Sequence, residues 1–136
     1  MESMSKIEAV LFDLDGTLLD SFPDFLASLE NININSSSKK INESIVRANI
    51  SDGSSKLLKL VFDIDADDEG FDEHKRNFLN EYEKNILMHG NLFRGVSDLL
   101  NFLLDKKIPY GIVTNKPRKY TEIILKKSSL LRQSKV

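Results

Sequence analysis

Two aspartates follow a short apolar stretch near the start of the chain. In the segment "AVLFDLDGT", Asp13 and Asp15 are separated by Leu14 and followed by Gly16. Acidic side chains rarely follow a hydrophobic run without a partner, because an unpaired charge is costly to bury. Two carboxylates at this spacing suit Mg²⁺ and a phosphoryl group: one can bind the metal and attack phosphorus, while the other carries the proton for the leaving oxygen. Gly16 permits a tight turn through which the backbone can approach a phosphate.

Calcium binding and a purely structural turn are the alternatives for these acidic residues. An EF-hand loop needs acids at positions 1, 3 and 5, glycine at 6 and glutamate at 12. Counted from Asp13, glycine falls at position 4 and position 12 is Asp24, so the pattern fails. The acidic run from Asp63 to Gly70 fails too, since its position 12 is His74, and it is typical of a solvated loop. A structural turn at the first aspartate pair stays open on spacing alone.

A second apolar run, "YGIVTNKP" over residues 110–117, also ends in polar residues. Its Thr114 hydroxyl and Asn115 amide can bind phosphate oxygens, and Lys116 adds positive charge. Taken alone the signal is weak, because threonine often ends a strand and asparagine often turns a chain. Two parallel strands that each end in a polar turn predict an α/β sheet with a site at the carboxyl ends of its strands.

The remaining elements are predicted to be helical. The first strand, Val10 to Leu14, has no helical spacing and is predicted to be buried on both faces. Apolar residues at helical spacing then predict about four helices from Ser21 to Leu87, with Ser21 as N-cap and no strand among them. A helix ending near Lys107 and a last one over residues 118–131 complete the pattern.

The composition excludes several functional classes. The chain has 136 residues, 29% of them charged, a net charge of −2 and no cysteine. It therefore offers no basic field for nucleic acid or anionic lipid, and no disulfide, thiolate metal site or cysteine nucleophile. The apolar run at the N-terminus is too short and too acidic for a signal peptide or a membrane span, so we expect a cytoplasmic protein without a nucleic-acid or membrane partner. The sequence does not indicate an oligomeric state.

The two motifs together carry a family resemblance. "FDLDGTLLDS" followed by "VTNKP" resembles the haloacid dehalogenase superfamily of aspartate-nucleophile phosphohydrolases, in particular its phosphoglycolate phosphatase-like members with a helical cap. The stretches "RANISDGSSKLLKLVF" and "HGNLFRGVSDLL" also resemble N-acetylmuramic acid 6-phosphate phosphatases of the same branch. The resemblance implies a Rossmann-like parallel sheet, with a core formed by residues 1–20 and 88–136 and a helical cap inserted at residues 21–87.

The resemblance also implies a role for each motif residue. Asp13 would be the nucleophile and a ligand of Mg²⁺, and Asp15 would be the general acid and base that gives its backbone carbonyl to the metal. Gly16, Thr114 and Asn115 would bind the phosphate. The implied substrate is a small-molecule phosphomonoester.

The chain departs from the family pattern after the second motif. Family members continue with a lysine that neutralises the phosphate and then with a further acidic motif that completes the coordination of Mg²⁺. Neither follows here: Lys126, Lys127 and Lys135 stand in a different context, and Lys116 belongs to the second motif. Because a parallel sheet normally has more than two strands, we expect the N-terminal part of a phosphatase, with a complete cap and a partial core that folds poorly in isolation.

Several functions stay open at this stage. In the cap, Arg47 and the turn over residues 51–55 are candidates for reading the non-phosphate end of the substrate, although an exposed arginine and a helix cap explain them slightly better. The enzyme alternatives are a phosphoglycolate phosphatase, a sugar-phosphate phosphatase and a sugar phosphomutase. A module that only binds phosphate or Mg²⁺ is the alternative from another class.

Overall fold

A computed structural model describes residues 6–36 and 40–135. The chain divides into two compact units. Unit 1 consists of Met1–Asp20 and Leu92–Val136, and unit 2 of Ser21–Asn91. Unit 2 therefore ends at Asn91. The cap boundary at residue 87 that the sequence indicates stays a prediction.

Short strands and longer helices make up both units. The strands are β1 (Val10–Phe12), β2 (Leu19–Asp20), β3 (Asn91–Leu92) and β4 (Tyr110–Ile112). The helices are α1 (Phe22–Ser36), α2 (Glu43–Asn49), α3 (Ser54–Phe62), α4 (Phe71–Asn85), α5 (Val96–Asp105), α6 (Arg118–Lys127) and α7 (Ser129–Arg132). A 3₁₀ turn over Ile50–Asp52 joins α2 to α3. No helix among the described residues has the length and apolar character needed to cross a membrane.

The main sheet of unit 1 is parallel and confirms the predicted α/β class. β1 pairs with β4 in a register that sets Val10 opposite Tyr110 and Phe12 opposite Ile112. The N–H of Val113 continues the ladder by donating to the carbonyl of Phe12 at 2.8 Å. Both strands therefore end side by side, which places the two polar segments that follow them at one edge of the sheet.

β1 differs from its prediction in burial. Leu11 is 70% exposed, and Val10 and Phe12 are only half-buried, so the expectation of a strand buried on both faces is wrong. The three residues of β4 are buried, as expected. The described residues pair β1 with β4 alone, and the exposure of Leu11 shows that the face on which its side chain lies is not covered.

The chain comes back to the sheet beside β4 at its last described residue. The N–H of Lys135 donates to the carbonyl of Tyr110 at 2.7 Å. Gly111 makes this approach possible, because a Cβ at that position would lie 2.7 Å from the carbonyl oxygen of Lys135. The third strand expected at Val136 lies outside the described residues.

The helical segment after β4 is divided in two. The sequence predicts one helix over residues 118–131, but Ser128 has an extended backbone and separates α6 from α7. Its hydroxyl accepts the N–H of Leu131 at 3.3 Å and caps α7. A serine in this conformation satisfies a free N–H at the start of a new helix, so the single-helix prediction is wrong at this residue.

Unit 2 is helical, as predicted: its described residues between β2 and β3 contain four α-helices and no strand. Its core is built around three aromatic rings on α1 and α4. The rings of Phe25 and Tyr82 stack with centroids 4.2 Å apart, and Phe78 lies 6.1 Å from Phe25. The spacing of these residues puts them on one face of each helix, which explains why the two helices pack together.

Ser21 begins α1 but does not cap it with its side chain. Its carbonyl accepts the N–H of Phe25 at 3.1 Å, as the first helical bond requires. Its hydroxyl is buried without a hydrogen-bond partner among the described residues, so the predicted side-chain cap is wrong. A capping hydroxyl normally accepts the backbone N–H of the second or third residue of the helix, here Pro23 or Asp24. Proline has no backbone N–H, so one of these two donors is missing.

The Asp24 side chain holds the segment that follows α4 by accepting hydrogen bonds from its backbone. Its buried carboxylate accepts the N–H groups of Leu87, His89 and Gly90 at 2.8, 2.8 and 2.9 Å. Three bonds to an ionised acceptor satisfy the backbone of a segment that belongs to neither helix nor sheet. Leu87 adopts a positive φ of 56° within this segment.

Candidate functional site

The loop after β1 is held by its own backbone. The carbonyl of Leu14 accepts the N–H groups of Thr17, Leu18 and Leu19 at 3.0 to 3.3 Å. Gly16 has a positive φ of 79°, which a residue with a side chain adopts only with strain, and its N–H donates to Leu19. The apolar side chains of the loop, Leu14, Leu18 and Leu19, are buried, whereas Asp13 and Thr17 are exposed.

Asp13 and Asp15 differ in their surroundings. Asp13 is exposed, and its carboxylate makes no hydrogen bond or ion pair with the described residues. The side chain of Asp15 is 19% exposed, and its Oδ2 lies 2.8 Å from the Nζ of Lys116. Its Oδ1 is buried and has no hydrogen-bond partner within the described part of the chain. One carboxylate is therefore accessible to a ligand, and the other is held on one side.

The residues that follow β4 form a tight turn. The Thr114 hydroxyl accepts the N–H of Lys116 at 3.1 Å, and Asn115 is exposed. Pro117 follows, and its carbonyl accepts the N–H of Tyr120 at the start of α6. Unlike Asn115, the Lys116 side chain is only 4% exposed and points back to the first loop.

The structure thus brings the two predicted motifs to one edge of the sheet and joins them through Asp15 and Lys116. The roles of Asp13, Asp15, Gly16, Thr114 and Asn115 stay predictions, since their geometry is compatible with a phosphate site but includes no ligand. The sequence does not predict the ion pair between Asp15 and Lys116; it predicts only that Lys116 adds positive charge near the phosphate. Parallel strands end at the same edge of a sheet, and this rule would have suggested the contact.

The residues around Asp13 fit a magnesium ion in donor type. Mg²⁺ prefers oxygen ligands and is typically bound through one or two carboxylates, with water and substrate phosphate filling the other positions. The accessible Asp13 carboxylate is a donor of this kind, and the backbone carbonyl of Asp15 is the second oxygen that the family resemblance implies. The described residues contain no group of three or more acidic, histidine or cysteine side chains that could hold a metal.

Arg47 lies in unit 2 on α2. Its guanidinium carbon is 3.9 Å from the ring centre of Phe22, the first residue of α1, and the residue is exposed. Stacking on an aromatic ring orients the plane of the guanidinium. Because the aspartates belong to unit 1, the substrate-binding role of Arg47 stays a prediction.

Comparison with known proteins identifies a family. The sequence model of the haloacid dehalogenase-like hydrolases matches residues 10–134. The chain is 33% identical over 129 residues to an N-acetylmuramic acid 6-phosphate phosphatase of Pseudomonas putida, covering 95% of this chain and 58% of the relative. It is 38% identical over 117 residues to a phosphoglycolate phosphatase of Xanthomonas campestris pv. campestris, covering 86% of this chain and 52% of the relative.

A solved structure supports the fold. The crystal structure of a predicted phosphoglycolate phosphatase from Haemophilus somnus 129pt superposes with a TM-score of 0.79 at 24% identity, covering 97% of this chain and 62% of that one. Similarity at this identity concerns the fold alone. In all three comparisons the chain spans about half to three fifths of the length of the protein it matches.

Proposed function

Because the chain belongs to the haloacid dehalogenase-like hydrolases, we propose that the protein hydrolyses a small phosphomonoester with Mg²⁺ through an aspartyl-phosphate on Asp13. The observation that carries the proposal is the meeting of the two motifs at one sheet edge, where an accessible carboxylate lies beside a second carboxylate held by a lysine. The family membership supports the enzyme class, and the named activities of the curated relatives support the phosphoryl substrate.

In the proposed first step, a carboxylate oxygen of Asp13 bonds to phosphorus while the bond from phosphorus to the alcohol oxygen breaks. Asp15 gives its proton to that leaving oxygen, so the product leaves as a neutral alcohol. When bound, Mg²⁺ supplies positive charge to the phosphoryl oxygens. Thr114 and Asn115 orient the phosphate through their hydroxyl and amide groups.

In the second step, water releases the phosphate. Asp15 takes a proton from the water molecule, whose oxygen bonds to phosphorus as the bond to Asp13 breaks. The products are inorganic phosphate and free Asp13, and Asp15 is protonated again.

An Asp13→Asn variant tests the proposal. The assay measures the phosphate that the purified protein releases from 2-phosphoglycolate or N-acetylmuramic acid 6-phosphate in the presence of Mg²⁺. The variant should lose this activity by at least about 10³-fold, since an amide oxygen is a poor nucleophile. Asp105→Asn, at the exposed end of α5, is the matched control and should keep full activity.

Three outcomes of this experiment are informative. Turnover in Asp13→Asn equal to that of the unmodified protein would refute the assignment of the nucleophile. Binding of Mg²⁺ without turnover of any phosphomonoester would favour a non-catalytic binding module. Transfer of the phosphoryl group to a second substrate position, instead of release as phosphate, would identify a mutase.

We further propose that Arg47 binds a carboxylate of the substrate. The substrates named for the curated relatives are both phosphate esters of acids, and a guanidinium is the side-chain group best suited to bind a carboxylate. An Arg47→Gln variant should raise KM for such substrates by about tenfold or more while leaving p-nitrophenyl phosphate, which has no carboxylate, nearly unaffected. Equal changes of KM for both kinds of ester would contradict this role.

A further inference from the structure

The ion pair between Asp15 and Lys116 is nearly closed to solvent. The Lys116 side chain is 4% exposed, although the neighbouring residues of its turn are largely accessible. Lysine is one of the residues least often buried, because its ammonium group loses favourable hydration. A lysine in this position therefore indicates a specific interaction, and its Nζ lies 2.8 Å from the Oδ2 of Asp15.

The backbones on both sides of the pair are fixed by hydrogen bonds. On the Asp15 side, the loop is closed by the bonds to the carbonyl of Leu14 and by the bond from Gly16 to Leu19. On the other side, the N–H of Lys116 is bound by the Thr114 hydroxyl at 3.1 Å. Asp15 and Lys116 thus lie in two hydrogen-bonded turns. These turns follow β1 and β4, which are paired in register, so the backbone sets the distance between the two side chains.

The two oxygens of the Asp15 carboxylate are not equivalent. Oδ2 accepts a hydrogen bond from the ammonium group, and Oδ1 is buried without a partner among the described residues. A buried oxygen with no hydrogen bond is costly, so such an atom in a candidate site indicates a position for a ligand or a reacting group. A carboxylate held at one oxygen cannot exchange its two oxygens by rotation without breaking the ion pair.

We propose that Lys116 is a positioning residue for Asp15: by holding Oδ2, it leaves Oδ1 as the oxygen that gives its proton to the leaving alcohol and later takes one from water. The proposal rests on the proposed phosphomonoester hydrolysis. It assigns to Lys116 a function separate from neutralising the phosphate, because the ammonium group is bonded to the acid and base itself. In the first step the proton moves from Oδ1 to the ester oxygen as the bond between phosphorus and that oxygen breaks.

The dependence of the rate on the leaving group tests this role. An alkyl phosphate such as 2-phosphoglycolate leaves as a strongly basic alkoxide unless it is protonated, whereas p-nitrophenyl phosphate leaves as a weakly basic phenolate. Lys116→Met keeps the length of the side chain but removes the ammonium group. We expect it to lower kcat/KM, which reports the transfer of the phosphoryl group to Asp13, by about 10²-fold for the alkyl ester and by no more than a few fold for the aryl ester.

Two further variants provide controls. Lys116→Arg keeps a cation that can bind Oδ2 and should restore part of the lost kcat/KM for the alkyl ester. Lys126→Met removes an exposed lysine of α6 and should have the kinetics of the unmodified protein. An equal loss of kcat/KM for both esters, or no loss for either, would overturn the positioning role.

A readout independent of turnover is a thermal cycle of Asp15→Asn, Lys116→Met and the double variant. If the pair forms, each single variant lowers Tm by several degrees and the double variant lowers it by less than the sum. Additive changes in Tm would refute the contact. An unmodified protein that is inactive towards both esters would refute the proposed function and with it this role, even if the Tm changes are coupled. An active protein without the leaving-group effect would refute the role of Lys116 alone.

Discussion

The two units bury their apolar residues to different degrees. Unit 2 packs a stack of aromatic rings between α1 and α4, and few of its large apolar side chains are exposed. Unit 1 has an interior of its own but leaves more of these side chains accessible, on β1, around α5 and after β4. The exposed large apolar residues of unit 1 are Ile7, Leu11, Phe93, Leu99, Phe102, Leu104 and Val113.

This difference follows from the type of secondary structure. A helix has one apolar face and can bury it against a single neighbour, so a few helices complete a core within a short stretch of chain. A parallel strand needs a partner at each edge and cover on both faces. The described residues give β1 one partner strand, and the curated relatives are longer proteins of which this chain covers 52 to 58%.

A matched pair of phenylalanine variants gives the largest expected contrast between the units. Phe78 in unit 2 is fully buried, whereas Phe102 in unit 1 is 52% exposed. Phe78→Ala should lower the free energy of unfolding by about 3–5 kcal/mol, because it removes a core ring and leaves a cavity. Phe102→Ala should cost about 1 kcal/mol or less. Urea denaturation monitored by circular dichroism measures both values.

The outcome that would contradict the comparison is a similar loss for the two variants. A large effect of Phe102→Ala would mean that its ring is covered in solution, for example by another copy of the chain. The m-value should be unchanged in both variants if only the native state is affected.

A smaller loss of stability is expected from a change at Asp24, whose carboxylate accepts backbone N–H groups of the segment after α4. Asp24→Asn removes the negative charge and one of the two oxygens that accept three N–H groups. We expect a loss of about 2–3 kcal/mol, since hydrogen bonds to a charged acceptor are stronger than neutral ones. Asp72→Asn, at an exposed position in the first turn of α4, should change stability by less than about 0.5 kcal/mol.

The smallest effect concerns Tyr110 in β4 of unit 1. Its hydroxyl donates to the carbonyl of Leu130, and burial raises the pKa of Tyr110 above its ordinary value of 10.0. As the pH rises past about 10, the unfolded state loses this proton while the folded state keeps it, so folding becomes less favourable. Below that pH the group has no such effect.

Tyr110→Phe should therefore cost about 1 kcal/mol near neutral pH through the lost hydrogen bond. Above pH 10 the stability of the variant should fall less steeply than that of the unmodified protein. Parallel curves of unfolding free energy against pH would show that Tyr110 does not contribute to the alkaline loss.

Much of the fold was predictable from local sequence patterns. The helices of unit 2 follow from apolar residues at helical spacing, and β1 and β4 from short apolar runs. The break at Ser128 was not predicted, because helical spacing continues across it and only the backbone conformation reveals the new cap. β2 and β3, with two residues each, are too short to give a periodic signal.

The candidate site was predictable in its residue types but not in its contacts. The positions of Asp13 and Thr114 at strand ends follow from the order of apolar and polar residues. The bond from Lys116 to Asp15 joins residues 101 positions apart, and it depends on side-chain directions that no local pattern specifies. The exposure of Leu11 likewise depends on which other strands are present.

The insertion of unit 2 between β2 and β3 also affects the order in which the protein can fold. Unit 2 is one continuous stretch, so all of its own contacts become available once Asn91 has been synthesised. The pairing of Val10 with Tyr110 closes a loop of about 100 residues and must wait for β4. Because a long loop costs more entropy to close than a short one, the helices can pack on the ribosome while β1 is still without its partner.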